Sequence, residues 1–138
     1  MDDLYQKYVD KCHEIIIDYG WMVQGVGTIL PWTYTVGLRF RDRPELIIVG
    51  LPMDMATEIL NSAAIRHLAE RFVPGSLVDV GWSVRLQVKQ VTAQYMNVYW
   101  AITGGLATDT AYQLIWPDQH GIYQEERQVI PDELRFTT

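Results

Sequence analysis

The stretch from Pro31 to Pro52, PWTYTVGLRFRDRPELIIVGLP, constrains the fold of this chain more than any other. Its first half alternates large apolar side chains with threonine and glycine, the period-two pattern of a strand with one buried face. Its second half contains a continuous apolar run, Leu46 to Val49, which predicts a strand covered on both faces, in the middle of a sheet. The short charged connection between them predicts a hairpin.

Two longer segments carry apolar residues at three- and four-residue steps, the spacing of an amphipathic helix. The first runs over residues 2–19 and is followed by Gly20, which is suited to ending a helix. The second begins at Pro52 and Asp54 and ends before Pro74. Two helices therefore flank the central hairpin in the sequence.

Strand patterns also cover residues 21–26, 82–91 and 111–116, and residues 95–102 predict a short helix. Because strands and helices are mixed without strict alternation, we predict an α+β fold, with a mainly antiparallel sheet of about five strands and two or three helices packed on one side. Residues 1–138 would form a single domain: an N-terminal helix (1–20), a core (21–123) and a peripheral C-terminal segment (124–138).

Composition excludes several classes of protein. Hydrophobic residues make up 49% of the chain and charged residues 20%, as in globular proteins. The net charge of −6 argues against nucleic acid as a partner, because that affinity depends on neutralising phosphates. A single cysteine, Cys12, rules out an internal disulfide framework. No apolar run approaches the ~18 residues of a membrane span and no leader pattern is present, so we expect a cytoplasmic protein.

Three motifs follow one another in the chain: Tyr34-Thr35-Val36-Gly37-Leu38, then Pro44-Glu45-Leu46 leading into Gly50-Leu51-Pro52, and then Gln113 to Asp118 with Gly121 and Tyr123. Together they resemble the signatures of a family of bacteria and their phages, the domain of unknown function 4262 (DUF4262). The resemblance spans roughly Gly20 to Tyr123 and supports the fold boundaries, but it brings no known activity.

The chain departs from that family at two places. Arg43 stands where the family often has a histidine, and Gln124-Glu125-Glu126 stands where it often has Pro-Trp-Glu. A role of that histidine as base or ligand is therefore absent here.

The chain offers few candidates for catalysis. His13, His67 and His120 are far apart and show no metal-ligand spacing, so we predict no metal site. The alternative is that folding brings the three histidines together. No Gly-x-Ser-x-Gly motif occurs. Asp118 and His120 are the one compact acid–base pair, in which the carboxylate would orient the imidazole. The alternative, which we favour, is that Asp118 and Gly121 simply build a turn.

Arg39, Arg41 and Arg43 lie in the connection of the central hairpin. In an extended chain alternate residues share a face, so the three guanidinium groups would form a row suited to a phosphate or carboxylate. The alternative is a solvated connection whose charges pair with Asp42 and Glu45.

Aromatic residues are the other candidate ligand contacts. Trp32 and Trp116 each neighbour a proline at a strand end, where a ring can stand at a pocket mouth and stack on a planar ligand. Tyr34, in the same strand as Trp32, joins them as a candidate. The alternative assigns these rings to the core.

These observations favour a non-catalytic binding module for an anionic, planar, nucleotide-like small molecule, or for a partner protein, which for a phage protein would be a host protein. One alternative is an enzyme with a borrowed cofactor of the flavin type, which needs no nucleophile from the chain. A hydrolase using Asp118 and His120 ranks below it. The sequence does not choose between a monomer and a symmetric homodimer that buries an exposed hairpin edge.

Overall fold

A computed structural model describes residues 2–27 and 30–130 of the chain. The described helices are α1 (Asp2–Tyr19), α2 (Met53–Ala69) and α3 (Asn97–Thr103), with 3₁₀ helices at Leu38–Arg41 and Glu125–Arg127. The described strands are β1 (Met22–Val26), β2 (Trp32–Val36), β3 (Glu45–Val49), β4 (Leu77–Val78), β5 (Leu86–Thr92) and β6 (Thr110–Ile115). None of these helices is long and apolar enough to cross a membrane.

The strands form one six-stranded sheet in the order β1-β2-β3-β6-β5-β4. β2 and β3 pair antiparallel as the predicted hairpin, and β3 lies in the interior of the sheet as predicted. β6 pairs parallel with β3, and the other pairings are antiparallel. The predicted α+β fold is confirmed, although the sheet is mixed and has six strands rather than about five. The connection between the two strands of the parallel pair is long and contains α2, β4, β5 and α3, which lets β6 run beside β3 in the same direction.

Helices cover both faces of the sheet, so the prediction that they pack on one side is wrong. β3 shows why: Leu46 and Ile48 join the core under α2, whereas Ile47 and Val49 join a second core under α1 and α3. Both faces of this strand are apolar, and each therefore needs its own covering layer. The second core also holds residues from β2, α1 and α3: Trp32, Tyr34, Val36, Cys12, Ile16, Tyr99 and Ile102.

The strand predicted at residues 82–91 begins later, at Leu86. Its partner β6 pairs with it only from Gln87 to Thr92, so the preceding residues have little sheet to join. Trp82 and Val84 are exposed instead. An alternating pattern therefore extends beyond the strand that the available partner supports.

Part of the C-terminal segment packs against the sheet, whereas the sequence placed residues 124–138 at the periphery. Gln128 and Ile130 are buried, and Gln128 donates to the carbonyl of Trp116 and accepts from its N–H. Residues 131–138 of that prediction lie outside the described part of the chain.

Gly37 joins β2 to the first 3₁₀ helix with φ 121° and ψ −14°, a conformation that residues with a Cβ rarely adopt. A Cβ at this position would lie 3.0 Å from Cγ2 of Ile16 on α1. We therefore expect Gly37→Ala to lower the free energy of unfolding by about 2 kcal/mol or more, measured by urea denaturation.

Gly104→Ala is the matched control, because Gly104 also has a positive φ of 73° but has nothing within 4 Å of an added Cβ. Gly104→Ala should lower the free energy of unfolding by only about 1 kcal/mol, the cost of placing a residue with a Cβ in the left-handed conformation. Equal losses in the two variants would contradict the packing role assigned to Gly37.

Candidate functional site

A buried carboxylate at the start of β3 organises the connection between β2 and β3. Glu45 is 2% exposed and accepts hydrogen bonds from the backbone N–H groups of Gly37 (3.0 Å), Leu38 (3.1 Å) and Arg39 (3.1 Å). The hydroxyl of Thr35 donates a fourth bond at 2.8 Å. The N–H groups at the start of the 3₁₀ helix, which have no partner within a helix, thus converge on one carboxylate.

Two opposing effects set the ionisation of Glu45. Burial raises its pKa to about 7. The hydrogen bonds from the N–H of Gly37, the hydroxyl of Thr35 and the other backbone donors oppose this rise, because they stabilise the charged form. The side chain therefore titrates near neutral pH although it is buried. We call the four donors around this carboxylate the Glu45 cradle. The N–H of Arg39 is one of them, so the same bonds also fix the backbone of Arg39.

Glu45 forms part of the wall of an open cleft of about 270 Å³, which we call the arginine cleft. Its lining residues come from the first 3₁₀ helix and the following loop, β3, the segment after α2, α3 and the start of β6. They are Arg39, Asp42, Arg43, Pro44, Glu45, Arg71, Tyr99, Asp109 and Thr110.

Arg39 is held on one side of this cleft. Its Nη1 donates to Oδ2 of Asp109 at 3.0 Å and to the hydroxyl of Tyr99 at 3.3 Å. Asp109 also accepts from the N–H of Leu106 and from the Tyr99 hydroxyl, and these two bonds lower the pKa of Asp109. Burial, followed by the bond to Asp109, raises the pKa of Tyr99. Tyr99 thus keeps its proton, and the guanidinium of Arg39 is fixed by two partners.

Arg43 caps the C-terminal end of α2. Its Nε donates to the carbonyl of His67 at 2.8 Å and its Nη2 to the carbonyl of Leu68 at 3.3 Å, groups that the helix itself leaves without partners. Arg71, just beyond that helix, is exposed, and no hydrogen bond or ion pair holds its side chain within the described residues. It is the one arginine among the described lining residues whose guanidinium is not engaged by another residue.

His67 is a buried residue in the last turn of α2, next to this cleft. Nδ1 accepts from the N–H of Phe72 at 3.0 Å, so the proton lies on Nε2, which faces the carbonyl of Pro44 at 3.2 Å. Burial, with smaller effects from Arg43 and Arg71, lowers its pKa to about 4. The imidazole is therefore neutral at physiological pH.

The three arginines of the hairpin connection do not form the predicted extended row. Leu38–Arg41 is a 3₁₀ helix, and Asp42 follows in the left-handed conformation with φ 59°. Arg39 and Arg43 line the cleft, but the guanidinium of Arg41 lies beside Gly20 at the end of α1. The cradle around Glu45 imposes this curvature, because its three N–H groups must point to one place.

The three candidate aromatic residues lie away from the arginine cleft. Trp32 and Tyr34 are fully buried: the indole N–H of Trp32 donates to the carbonyl of Tyr95, and the hydroxyl of Tyr34 accepts from the N–H of Val98. Trp116 is half-buried against the core under α2, and its indole N–H donates to the carbonyl of Val49. Trp32 and Tyr34 thus follow the alternative core assignment and present no ring at a pocket mouth.

The carboxylate of Asp118 builds a turn. Its Oδ1 accepts from the backbone N–H groups of His120 (2.8 Å) and Ile122 (3.0 Å), and its Oδ2 accepts from Gln124 (2.6 Å). The N–H of Ile122, first among these donors, lowers its pKa. The His120 imidazole contacts Gln119 at 3.4 Å rather than this carboxylate. This geometry corresponds to the turn, and the pair is not arranged for acid–base chemistry.

The histidines do not converge. His13 contacts the carbonyl of Ile102 at 3.0 Å, His67 lies next to the arginine cleft and His120 lies on an exposed turn. Over residues 2–27 and 30–130, no group of three or more histidine, cysteine, aspartate or glutamate side chains could hold a metal ion.

Sequence reasoning missed Arg71, Tyr99 and Asp109 as partners of the hairpin connection, because they belong to segments that only the fold brings there. Glu45 did carry a signal: it is a charged residue directly before the apolar run of a central strand. Such a position buries the carboxylate, and a buried carboxylate requires a set of donors.

The family model described as domain of unknown function DUF4262 matches residues 15–129, most of the chain. The chain belongs to the DUF4262 family. No curated protein and no solved structure has a significant match to it. Two of the motifs that resemble this DUF4262 family meet at the buried carboxylate, because Gly37 and Leu38 end the first motif and Glu45 lies in the second.

Glu45 and His67 make opposite contributions to the pH dependence of stability. Between pH 4.5 and about 7 the folded chain keeps a proton on Glu45 that the unfolded chain releases, so this contribution falls as pH rises. Between about pH 4 and 6.5 the unfolded chain protonates His67 and the folded chain does not, so that contribution rises with pH. The two should nearly cancel between pH 4.5 and 6.5.

In Glu45→Gln only the contribution of His67 remains. We therefore expect the free energy of unfolding of this variant to rise with pH, by up to about 1.4 kcal/mol per pH unit in this window. His67→Asn, which keeps an acceptor for the N–H of Phe72, should show the opposite slope. Urea denaturation at several pH values measures both. Parallel curves for the two variants would contradict these pKa shifts.

Proposed function

We propose that this DUF4262 protein is a binding module whose arginine cleft holds the anionic group of a small molecule. The observation that supports this most strongly is the convergence of three arginines on one cleft of an acidic chain: Arg39 and Arg43 from the hairpin connection, and Arg71 from the segment after α2. Guanidinium groups bind phosphates and carboxylates through paired, charge-assisted hydrogen bonds.

The charges of the cleft support an anionic ligand. Among the described residues, three arginines and three acidic residues, Asp42, Asp109 and Glu45, line the cleft, and Glu45 has a pKa of about 7. When Glu45 is protonated, the positive charges exceed the negative ones by one. The ion pair with Asp109 fixes Arg39 but engages only Nη1, so other N–H groups of that guanidinium can serve a ligand.

The size and lining of the cleft favour a compact ligand. Its volume of about 270 Å³ lies just below the range of drug-sized pockets, roughly 300–1,000 Å³. Among the described residues that line it, Tyr99 alone is aromatic, and its ring is buried and bonded through its hydroxyl. We therefore base the proposal on recognition of the anionic group rather than on stacking of a planar ring.

The test is a titration of the full ¹⁵N-labelled chain with sulfate, followed by two-dimensional NMR. We expect the amide shifts to concentrate around the arginine cleft and Arg71→Gln to weaken binding by about five-fold or more, the loss of one charge-assisted contact. Arg71 is the residue of choice because its exposed side chain has no partner in the described structure, so the fold should survive the change.

Arg85→Gln is the control, because it removes the same charge from an exposed residue outside the cleft. It should leave the sulfate affinity unchanged. Equal losses for Arg71→Gln and Arg85→Gln, or shifts spread evenly over the surface, would count against the proposed site.

The affinity should also depend on pH. Sulfate stays doubly charged between pH 6 and 8, so a change in affinity in this range reports on the protein. Protonation of Glu45, with its pKa of about 7, removes a negative charge from the cleft wall. We expect binding to tighten by about five-fold from pH 8 to 6 in the wild-type chain, a change in charge–charge energy of about 1 kcal/mol. In Glu45→Gln this dependence should disappear, and its persistence there would assign it to another group.

A further inference from the structure

A second cleft adjoins the first. It has a volume of about 290 Å³, and it is lined by the end of α2 and by the chain that follows, including Arg66, Glu70, Arg71, Phe72, Ser76 and Asp79. Arg71 lines both clefts, so the two clefts meet at this residue. We call the second one the Arg66 cleft.

The end of α2 explains how the arginines reach these positions. Arg66 lies in the last turn of the helix, and the chain leaves the helix at Glu70 in an extended conformation, with φ −147° and ψ 118°. Arg71 is therefore carried to the boundary between the two clefts. Both arginine side chains are exposed, and within the described residues no hydrogen bond or ion pair engages either of them.

Of the seven arginines and three lysines among the described residues, four arginines and no lysine line the two clefts. A guanidinium offers five N–H donors in a planar fork, so one that lies between two clefts can contact an anionic group in each. Lysine, a point charge on a flexible stem, does not provide this geometry.

We propose that the ligand carries an oligophosphate, with one phosphate in the arginine cleft, another in the Arg66 cleft and Arg71 between them. This rests on the proposed function and names the class of its ligand. Linked phosphates place several negative charges at short spacing, which suits two adjoining clefts that meet at one arginine.

The carboxylates of the Arg66 cleft give a further expectation. Oδ1 of Asp79 accepts from the N–H of Gly81 at 2.8 Å, so this carboxylate is engaged in its own turn. Glu70 has no such bond within the described residues and faces the same cleft as Arg66 and Arg71. Its charge opposes an anionic ligand there, and removing it should tighten the binding of an oligophosphate.

The experiment compares orthophosphate, pyrophosphate and tripolyphosphate by calorimetric titration of the full chain at one pH and one ionic strength. We expect the affinity to rise by about ten-fold or more from orthophosphate to tripolyphosphate, because further charge-assisted contacts form. Arg66→Gln should weaken tripolyphosphate binding by about five-fold and leave orthophosphate binding unchanged. Glu70→Gln should strengthen tripolyphosphate binding, and Arg85→Gln should change neither.

Failure of this inference can be told apart from failure of the proposed function. If orthophosphate binds through Arg71 but Arg66→Gln leaves the affinity for tripolyphosphate unchanged, the oligophosphate assignment is overturned and the arginine cleft stands. If Arg66→Gln and Arg85→Gln weaken tripolyphosphate binding equally, overall charge explains the effect and the assignment is again overturned. If Arg71→Gln affects none of the three ligands, both proposals fail.

Discussion

The carboxylate of Glu45, with its four donors, is the interaction on which the site depends. It satisfies the N–H groups of Gly37, Leu38 and Arg39 at once, and so turns the chain out of β2 into a 3₁₀ helix. Because the hydroxyl of Thr35 bonds both this carboxylate and the N–H of Leu46, the same contact ties β2 to the start of β3. A buried charge without such donors would cost several kcal/mol. The donors around Glu45 and the register between β2 and β3 therefore depend on each other, because each holds the groups of the other in place.

The arginine cleft follows from that arrangement. The cradle fixes the backbone of Arg39, the ion pair with Asp109 fixes its guanidinium, and Arg43 is held on the carbonyls that end α2. Structural requirements thus bring Arg39 and Arg43 together, whereas Arg71 has no partner in the described residues. A fixed pair of cations beside an unengaged one is the feature on which both functional proposals rest.

Local sequence patterns predicted much of the secondary structure. The apolar run from Leu46 to Val49 predicted an interior strand, and the spacing of apolar residues predicted α1, α2 and α3 close to their observed positions. The errors came from non-local effects. β5 begins where β6 provides a strand to pair with. Helices lie on both faces of the sheet because both faces of its central strands are apolar: α2 covers one face, and α1 and α3 cover the other.

The sequence by itself determined the central hairpin and the family, because these depend on residues that are neighbours in the chain. Only the tertiary structure decided which arginines lie together. The curvature around Glu45 separates Arg41 from Arg39 and Arg43, and the end of α2 supplies Arg71 in its place. The same packing places the rings of Trp32 and Tyr34 in the core, because strand alternation points them at the face that α1 and α3 cover. These choices depend on contacts between segments far apart in the sequence, which periodicity cannot encode.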